Sequence, residues 1–323
     1  MDLNTSKFPI VTDDQGFKYH PLLKWLVRID LDLTGLCNRQ CSFCPRALDA
    51  NPVYPNVNKH MSLDTLQIVI DEMKSIKFRG YWELAGRGES TLHKNFDTIV
   101  EMLSTKDRTW KLRLTTNGYE IDEWWPTLSE KFDGLILNSY ESYDQFVERK
   151  AKYEKLPNGE LVEHHYKQDG FTIEQINKMP RHLENDGKWY NYAFNNRAGY
   201  FSDEVVKSRC WHPMRQIFID YDGNYQMCCN DWLSQIKIGN VHERSLIDMY
   251  INDEKINRIR WLLLTEGNRS KILPCSKCDD IQGTLKNSRN TMDAFVKSPA
   301  YRHHIVPLSA CGKKFDDGIL EGK

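Results

Sequence analysis

Residues 25–44 read WLVRIDLDLTGLCNRQCSFC, a β-rich run from Trp25 to Leu33 that leads directly into Cys37, Cys41 and Cys44. The spacing C-x3-C-x2-C puts three thiolates on one short loop. Such a loop can hold three irons of a cubane cluster and leave the fourth without a protein ligand, open to a small chelating molecule. Tetrahedral thiolate sites take zinc or iron–sulfur. A closed structural zinc site wants four ligands, and no histidine lies within this loop to complete one.

Outward from the trio, short β-rich runs alternate with helical segments. Ser62 caps a helix with Leu66, Val69, Ile70 and Met73 on one face. The strand YWELAG (Tyr81 to Gly86) precedes a helix carrying Phe96, Ile99, Val100 and Leu103, and KLRLTT (Lys111 to Thr116) is closed by the turn signal Asn117-Gly118. A helix bearing Trp124 and Trp125 leads to the buried strand GLIL (Gly134 to Leu137). Strands alternating with helices imply βα units and a parallel sheet. From about Tyr140 to Lys188 the chain is highly charged and turn-rich, which predicts an insertion with partial helix, before a strand and loop at Trp189 to Tyr200. Beyond Cys210, IFIDYDGNYQMCC predicts a hairpin turning at Asp222-Gly223, followed by helices around Leu246 to Tyr250 and Ile256 to Leu264.

The 323 residues contain 44 basic and 45 acidic side chains, so no global field recruits nucleic acid or an anionic membrane. No apolar run approaches the ~20 residues of a membrane span. The N-terminus lacks a basic segment followed by an apolar one, which predicts a cytoplasmic chain. Nine cysteines stand out: Cys37, Cys41, Cys44, Cys210, Cys228, Cys229, Cys275, Cys278 and Cys311. None falls in the 165 residues between Cys44 and Cys210, whereas disulfide scaffolds spread their cysteines more evenly. The clustering predicts two metal sites in two regions.

The trio, with Phe43 before its last cysteine, resembles the C-x3-C-x-aromatic-C signature of the radical S-adenosylmethionine (SAM) enzymes. In that family the open iron is chelated by the amino and carboxylate groups of SAM, whose cleavage gives methionine and a 5′-deoxyadenosyl radical. Gly86-Arg87-Gly88-Glu89-Ser90 is similar to the family's Gly-x-Gly-Glu-Pro segment, with Ser90 where proline is usual. The resemblance implies that Gly86, Gly88 and Glu89 hold the SAM amino group, that Asn117 and Asn138-Ser139 contact SAM at strand ends, and that Arg197 approaches its carboxylate and ribose. It also implies a partial (β/α)6 TIM-like barrel with the first [4Fe–4S] cluster at its carboxyl mouth.

Cys210, then Gly223-x4-Cys228, then Cys275-x2-Cys278 resembles the auxiliary-cluster region of the SPASM and twitch members of that superfamily. This implies one auxiliary [4Fe–4S] cluster ligated by Cys210, Cys228, Cys275 and Cys278; the bare spacing also permits a four-cysteine zinc site. Cys229 and Cys311 are left over, as buried packing thiols or as donors of a hydrogen atom to a substrate radical. His164-His165 reads as surface, and His212 and Arg215 as shaping the space between the two sites.

Residues 1–22 are expected to form an N-terminal arm, 23–205 the partial barrel, 206–285 a small α+β auxiliary domain and 286–323 a tail. The resemblance implies dehydrogenation of a small polar substrate such as a cyclitol or sugar. The auxiliary cluster would accept an electron, and a flavodoxin- or ferredoxin-type protein would be the external one-electron reductant. A SPASM-type peptide maturase, a radical epimerase and a non-catalytic metal-binding module are the alternatives; neither nucleic acid nor membrane is an expected partner.

Overall fold

The computed structural model describes residues 11–12, 18–47, 57–166, 209–266 and 271–279, together with positions 198, 205, 294 and 297. The first strand of the main sheet, β1 (Arg28–Leu31), is shorter than the run 25–33 suggests. Pro21–Trp25 instead forms a 3-10 turn whose first free amide, on Leu22, is taken by the His20 side chain. Helix α1 (Leu63–Ser75) starts where the Ser62 hydroxyl accepts from Thr65 N, and it buries Leu66, Val69, Ile70 and Met73. β2 (Tyr81–Leu84) follows, then α2 (Phe96–Leu103), which buries Phe96, Ile99, Val100 and Leu103 as the periodicity predicts. β3 (Lys111–Thr116), α3 (Ile121–Lys131) and β4 (Gly134–Ser139) continue the alternation.

The predicted insertion starts too early. α4 (Tyr143–Lys152), opened by a Ser142–Gln145 capping box, and β5 (Glu163–Tyr166) form another regular unit, with β5 parallel to β4. The charge that suggested a loop comes from a helix that buries only Phe146. The strand expected at 189–200 lies outside the described residues. After a short helical turn at His212–Arg215 come β6 (Gln216–Ile219), β7 (Asn224–Gln226) and β8 (Lys237–Asn240), then α5 (Leu246–Asn252) and α6 (Glu254–Trp261). The β6–β7 hairpin turns as expected, with Gly223 at φ +82 and its N–H donating to Asp220 O at 2.9 Å.

Strand order is β8-β7-β6-β1-β2-β3-β4-β5. β1 to β5 are parallel in chain order, β6 is parallel to β1 on its other side, and β7 and β8 are antiparallel. One sheet therefore runs without a break from the barrel units into the C-terminal region. That region also has its own small apolar cluster, in which Cys210 and Cys228 pack with Met227, Ile256, Ile259 and Leu263. Among the described residues no helix is long and apolar enough to cross a membrane.

The two faces of the sheet differ. Ile29, Leu31, Trp82, Leu84, Leu112 and Leu114 belong to the main apolar core. The alternate positions are Arg28 and Asp30, Tyr81 and Glu83, Arg113 and Thr115, with Asp30, Glu83 and Arg113 in register across three strands. Parallel strands covered on both faces read as continuous apolar runs. Here one face is polar because it borders a cavity to which Arg28, Asp30 and Thr115 contribute.

His164 and His165 are buried on β5, not on the surface. His164 Nε2 contacts Tyr153 O at 3.0 Å and His165 Nε2 contacts Glu163 at 2.9 Å. Burial, helped by Lys150, pushes His164 down to about 4 from its usual 6.5. Between those values the unfolded chain binds a proton that the folded chain does not, so stability present above the unfolded value is lost as pH falls towards the folded one. The loss is about 3 kcal/mol for this group. Urea midpoints measured from pH 7 down to 4 should fall steeply for the native sequence and less steeply for His164→Gln; equal slopes would remove His164 as the cause.

Candidate active site

Cys37, Cys41 and Cys44 line a cavity of about 250 Å³ at the carboxyl ends of the parallel strands, where such sheets bind ligands. Their loop is fixed from several sides. Cys44 N–H donates to Cys41 O at 2.9 Å, and Glu89 N–H donates to Leu36 O at 2.8 Å. Buried Arg46 donates to Gly35 O at 3.0 Å and to Arg87 O at 3.2 Å, binding the cysteine loop to the loop after β2. Burial pushes the Cys37 thiol up to about 11, so its ligand form requires a cation to displace the proton.

Gly86 and Gly88 also line the cavity, but the reason for glycine is a neighbouring loop. A Cβ on Gly86 would lie 2.1 Å from Asp32 Oδ1, and one on Gly88 would lie 2.1 Å from Thr34 O and 2.5 Å from Leu36 O. The loop after β2 thus rests its backbone on the chain leaving β1. Glu89 is 4% exposed. Its Oε1 accepts from Thr91 N–H, Thr91 Oγ1 and Thr116 Oγ1, and its Oε2 accepts from Asn117 N–H at 2.8 Å. A carboxylate oxygen accommodates about two acceptor directions, so Oε2 retains room for an ammonium donor. Burial raises the pKa of this carboxyl, and the four donors oppose the shift.

Phe43 lines the cavity and stacks on Tyr140, with centroids 6.1 Å apart and planes at 8°. Arg39 covers the Tyr140 ring, its Cζ 4.2 Å from the centroid. Asn117 reaches the cavity and donates from Nδ2 to Asn38 Oδ1 at 2.7 Å, tying the end of β3 to the cysteine loop. At the end of β4 it is Asn138 that lines the cavity, whereas Ser139 is wholly buried away from it. Ser139, expected beside SAM with Asn138, is thus not among the residues that line the cavity. Arg197 and Cys311 lie outside the described residues.

Cys210, Cys228, Cys275 and Cys278 line a second, smaller cavity of about 20 Å³, together with His212. Cys229 instead lines the first cavity, and Asn230 lines both, so residues 228–230 form a shared wall. The adjacent Cys229 side chain and burial push the Cys228 thiol well up. Gln216 bridges the wall: its Nε2 donates to Cys229 Sγ at 3.7 Å and its Oε1 contacts His212 Nδ1 at 3.2 Å. Buried Arg87 ties the two regions together from the other side. Its guanidinium donates to Gln226 Oε1, to Asp231 O at 2.8 Å and to Ser234 Oγ at 3.1 Å, and lies 5.2 Å from the Phe218 ring centroid. Arg215 stacks on Trp211 at 4.6 Å and does not line either cavity.

Among the described residues no three His, Cys, Asp or Glu side chains are grouped so as to hold a metal ion. A cubane distributes its thiolates over separate irons. The chemistry of the two donor sets, three thiols at one cavity and four at the other, fits an open and a closed cluster.

The model of the Radical SAM superfamily matches residues 31–161, and that of the SPASM iron–sulfur cluster-binding domain matches residues 210–279. The chain belongs to the radical SAM superfamily. It is 22% identical over 268 residues to the S-adenosyl-L-methionine-dependent 2-deoxy-scyllo-inosamine dehydrogenase of Niallia circulans, covering 78% of this chain and 92% of that one. A 93-residue stretch is 32% identical to the GTP 3′,8-cyclase of Mannheimia succiniciproducens, covering 29% of this chain and 26% of the relative. The fold matches the crystal structure of BtrN in complex with AdoMet and 2-DOIA with a TM-score of 0.63 at 20% identity, covering 79% of this chain and 94% of that one. This radical SAM enzyme accordingly has as its cofactors SAM, a [4Fe–4S] cluster and an auxiliary iron–sulfur cluster.

Three structurally important groups were missed in the sequence. Arg87 occupies a variable position of its motif, Arg46 sits just beyond the trio, and Tyr140 was read as the start of an insertion. Only Arg46 carries a local signal, as a charge two residues after a cluster ligand. The glycine contacts make a direct prediction. Gly88→Ala should displace the cysteine loop and lower iron in the reconstituted protein from about eight to about four per chain. Iron analysis that finds full loading would show that the loop tolerates the methyl group.

Proposed function

We infer that this radical SAM enzyme oxidises a small polar molecule of the cyclitol or sugar class, removing two hydrogens. The observation that carries the reading is the shared wall at residues 228–230, which sets a cavity lined by three cysteines against one lined by four. When bound, SAM on a cluster held by Cys37, Cys41 and Cys44 supplies the 5′-deoxyadenosyl radical for hydrogen abstraction, and an auxiliary cluster held by Cys210, Cys228, Cys275 and Cys278 supplies an electron acceptor. The protein's own contribution is placement. Glu89 and Asn117 orient the SAM head group, Phe43 and Tyr140 screen the cysteine loop from water, and Arg87 and Gln216 fix the wall. The polar strand face supports a hydroxyl-rich substrate, and the likeness to 2-deoxy-scyllo-inosamine dehydrogenase along most of both chains supports a cyclitol. A flavodoxin- or ferredoxin-type reductant in the cytoplasm fits the need for single electrons.

Anaerobic reconstitution tests this. With SAM and dithionite the native protein should release 5′-deoxyadenosine, and the Cys37/Cys41/Cys44→Ala protein should release none while keeping about four irons and four sulfides. Zinc in place of that iron would overturn the auxiliary cluster, and absence of 5′-deoxyadenosine from the native protein would overturn the catalytic reading.

Radical epimerisation is a second reading, favoured by one observation: Cys229 lines the SAM-side cavity. A thiol there can return a hydrogen atom to the substrate carbon. Turnover in D2O separates the two. Epimerisation gives a product of unchanged oxidation state with one carbon-bound deuterium, lost in Cys229→Ala, whereas dehydrogenation gives a product two hydrogens lighter that Cys229→Ala still forms.

A further inference from the structure

The polar strand face contains one carboxylate whose environment differs from the others. Glu83 takes a hydrogen bond from Thr115 Oγ1 at its Oε1, 2.6 Å, and its Oε2, without a hydrogen-bond partner among the described residues, has Arg113 Nε 3.4 Å away; Glu83 does not line the cavity. Arg113 also lies 3.8 Å from Glu163. Asp30, 1% exposed, accepts from Arg28 Nε at Oδ1 only. Its Oδ2 has no hydrogen-bond partner among the described residues, and Asp30 lines the SAM-side cavity beside Cys229. Burial, reinforced by Cys229 and Glu83 and opposed by Arg28, pushes its carboxyl up to about 7.

Asn138 repeats the pattern in the same cavity. Its Nδ2 donates to Thr116 O at 3.3 Å, which leaves Oδ1 without a partner among the described residues. Buried acceptors left without donors are destabilising, so they persist where a ligand completes them. Both arginines of this strand face are engaged by carboxylates, so the face itself offers a ligand acceptors, while Arg39, Arg46 and Arg87 line the cavity from its loops.

The geometry points to Asp30 as the group that anchors the substrate, its second carboxylate oxygen accepting from a hydroxyl or ammonium of a polyol or amino-polyol, with Asn138 Oδ1 as a second acceptor. This rests on the small-polar-substrate reading above and adds to it a specificity: hydrogen-bond donors of the substrate are taken at Asp30 and Asn138.

Calorimetric titration of the SAM-loaded, unreduced holoenzyme tests it without turnover. The probes are 2-deoxy-scyllo-inosamine, myo-inositol, D-glucosamine and D-glucose. At least one neutral or amino-polyol should bind, and Asp30→Asn should weaken it roughly tenfold or more while SAM affinity stays within about twofold of native. The anchor is overturned if no polyol binds the native enzyme, if Asp30→Asn binds as tightly as native, or if it loses SAM affinity in proportion. Should Asp30→Asn fail to load both clusters, Asn138→Ala decides: unchanged polyol affinity overturns the proposal and a several-fold loss supports it. Mass analysis after reduction reports separately on the reaction. A polyol that binds through Asp30 but keeps its mass would sink the dehydrogenase reading and leave the anchor standing.

Discussion

Because the backbone of Gly86 and Gly88 lies on the chain leaving β1, with space for hydrogen atoms and not for methyl groups, the first two βα loops behave as one body. Everything in the SAM-side cavity is gauged from that contact. Arg46 locks it from the cysteine side, and Glu89 carries the same body across to Thr116 and Asn117 at the end of β3. Arg87, between the two glycines, then projects into the auxiliary region and takes three acceptors there. A residue flanked by two closely packed glycines thus links the two cavities. All three bonds are charge-assisted and those to Gln226 and Asp231 are buried, the class of hydrogen bond whose loss is most costly.

How far the sequence could be read depended on which physical signal each element carried. The βα alternation, the Ser62 cap and the apolar stripes of α1 and α2 were legible because local periodicity and burial agree there. The division of the cysteines was legible from their spacing, and the structure sets Cys37, Cys41 and Cys44 on one cavity and Cys210, Cys228, Cys275 and Cys278 on another. Two features were hidden. Helix α4 has a single buried side chain, Phe146, so it lacks the stripe that marks a packed helix. The polar inner face was present as a period of two in RIDL, YWEL and KLRL, yet a parallel sheet raises the expectation of continuous apolar runs. Arg87 and Tyr140 have no local signal, since their partners lie far along the chain.

The inner face also explains how charge is tolerated without solvent. Asp30, Glu83 and Arg113 occupy one rung of three strands, and Arg28 and Arg113 both approach the Tyr81 ring, at 5.7 and 5.1 Å from its centroid. Asp30 and Glu83 are like-charged neighbours on that rung, each compensated by its own arginine, Arg28 and Arg113, and the Tyr81 ring accepts the remaining cationic face. The charged rung replaces an apolar barrel filling and leaves a cavity that recognises polar ligands by hydrogen bonding.

The pairing of β1 with β6 has a consequence for biosynthesis. Arg28 lies opposite Gln216, more than half the chain away, so one edge of β1 has no partner while the intervening residues are being made. Unpaired strand edges are templates for association with other chains, and such distant contacts form late. The nascent protein therefore carries both an open edge and the first cysteine loop on the ribosome before the segment that covers them exists.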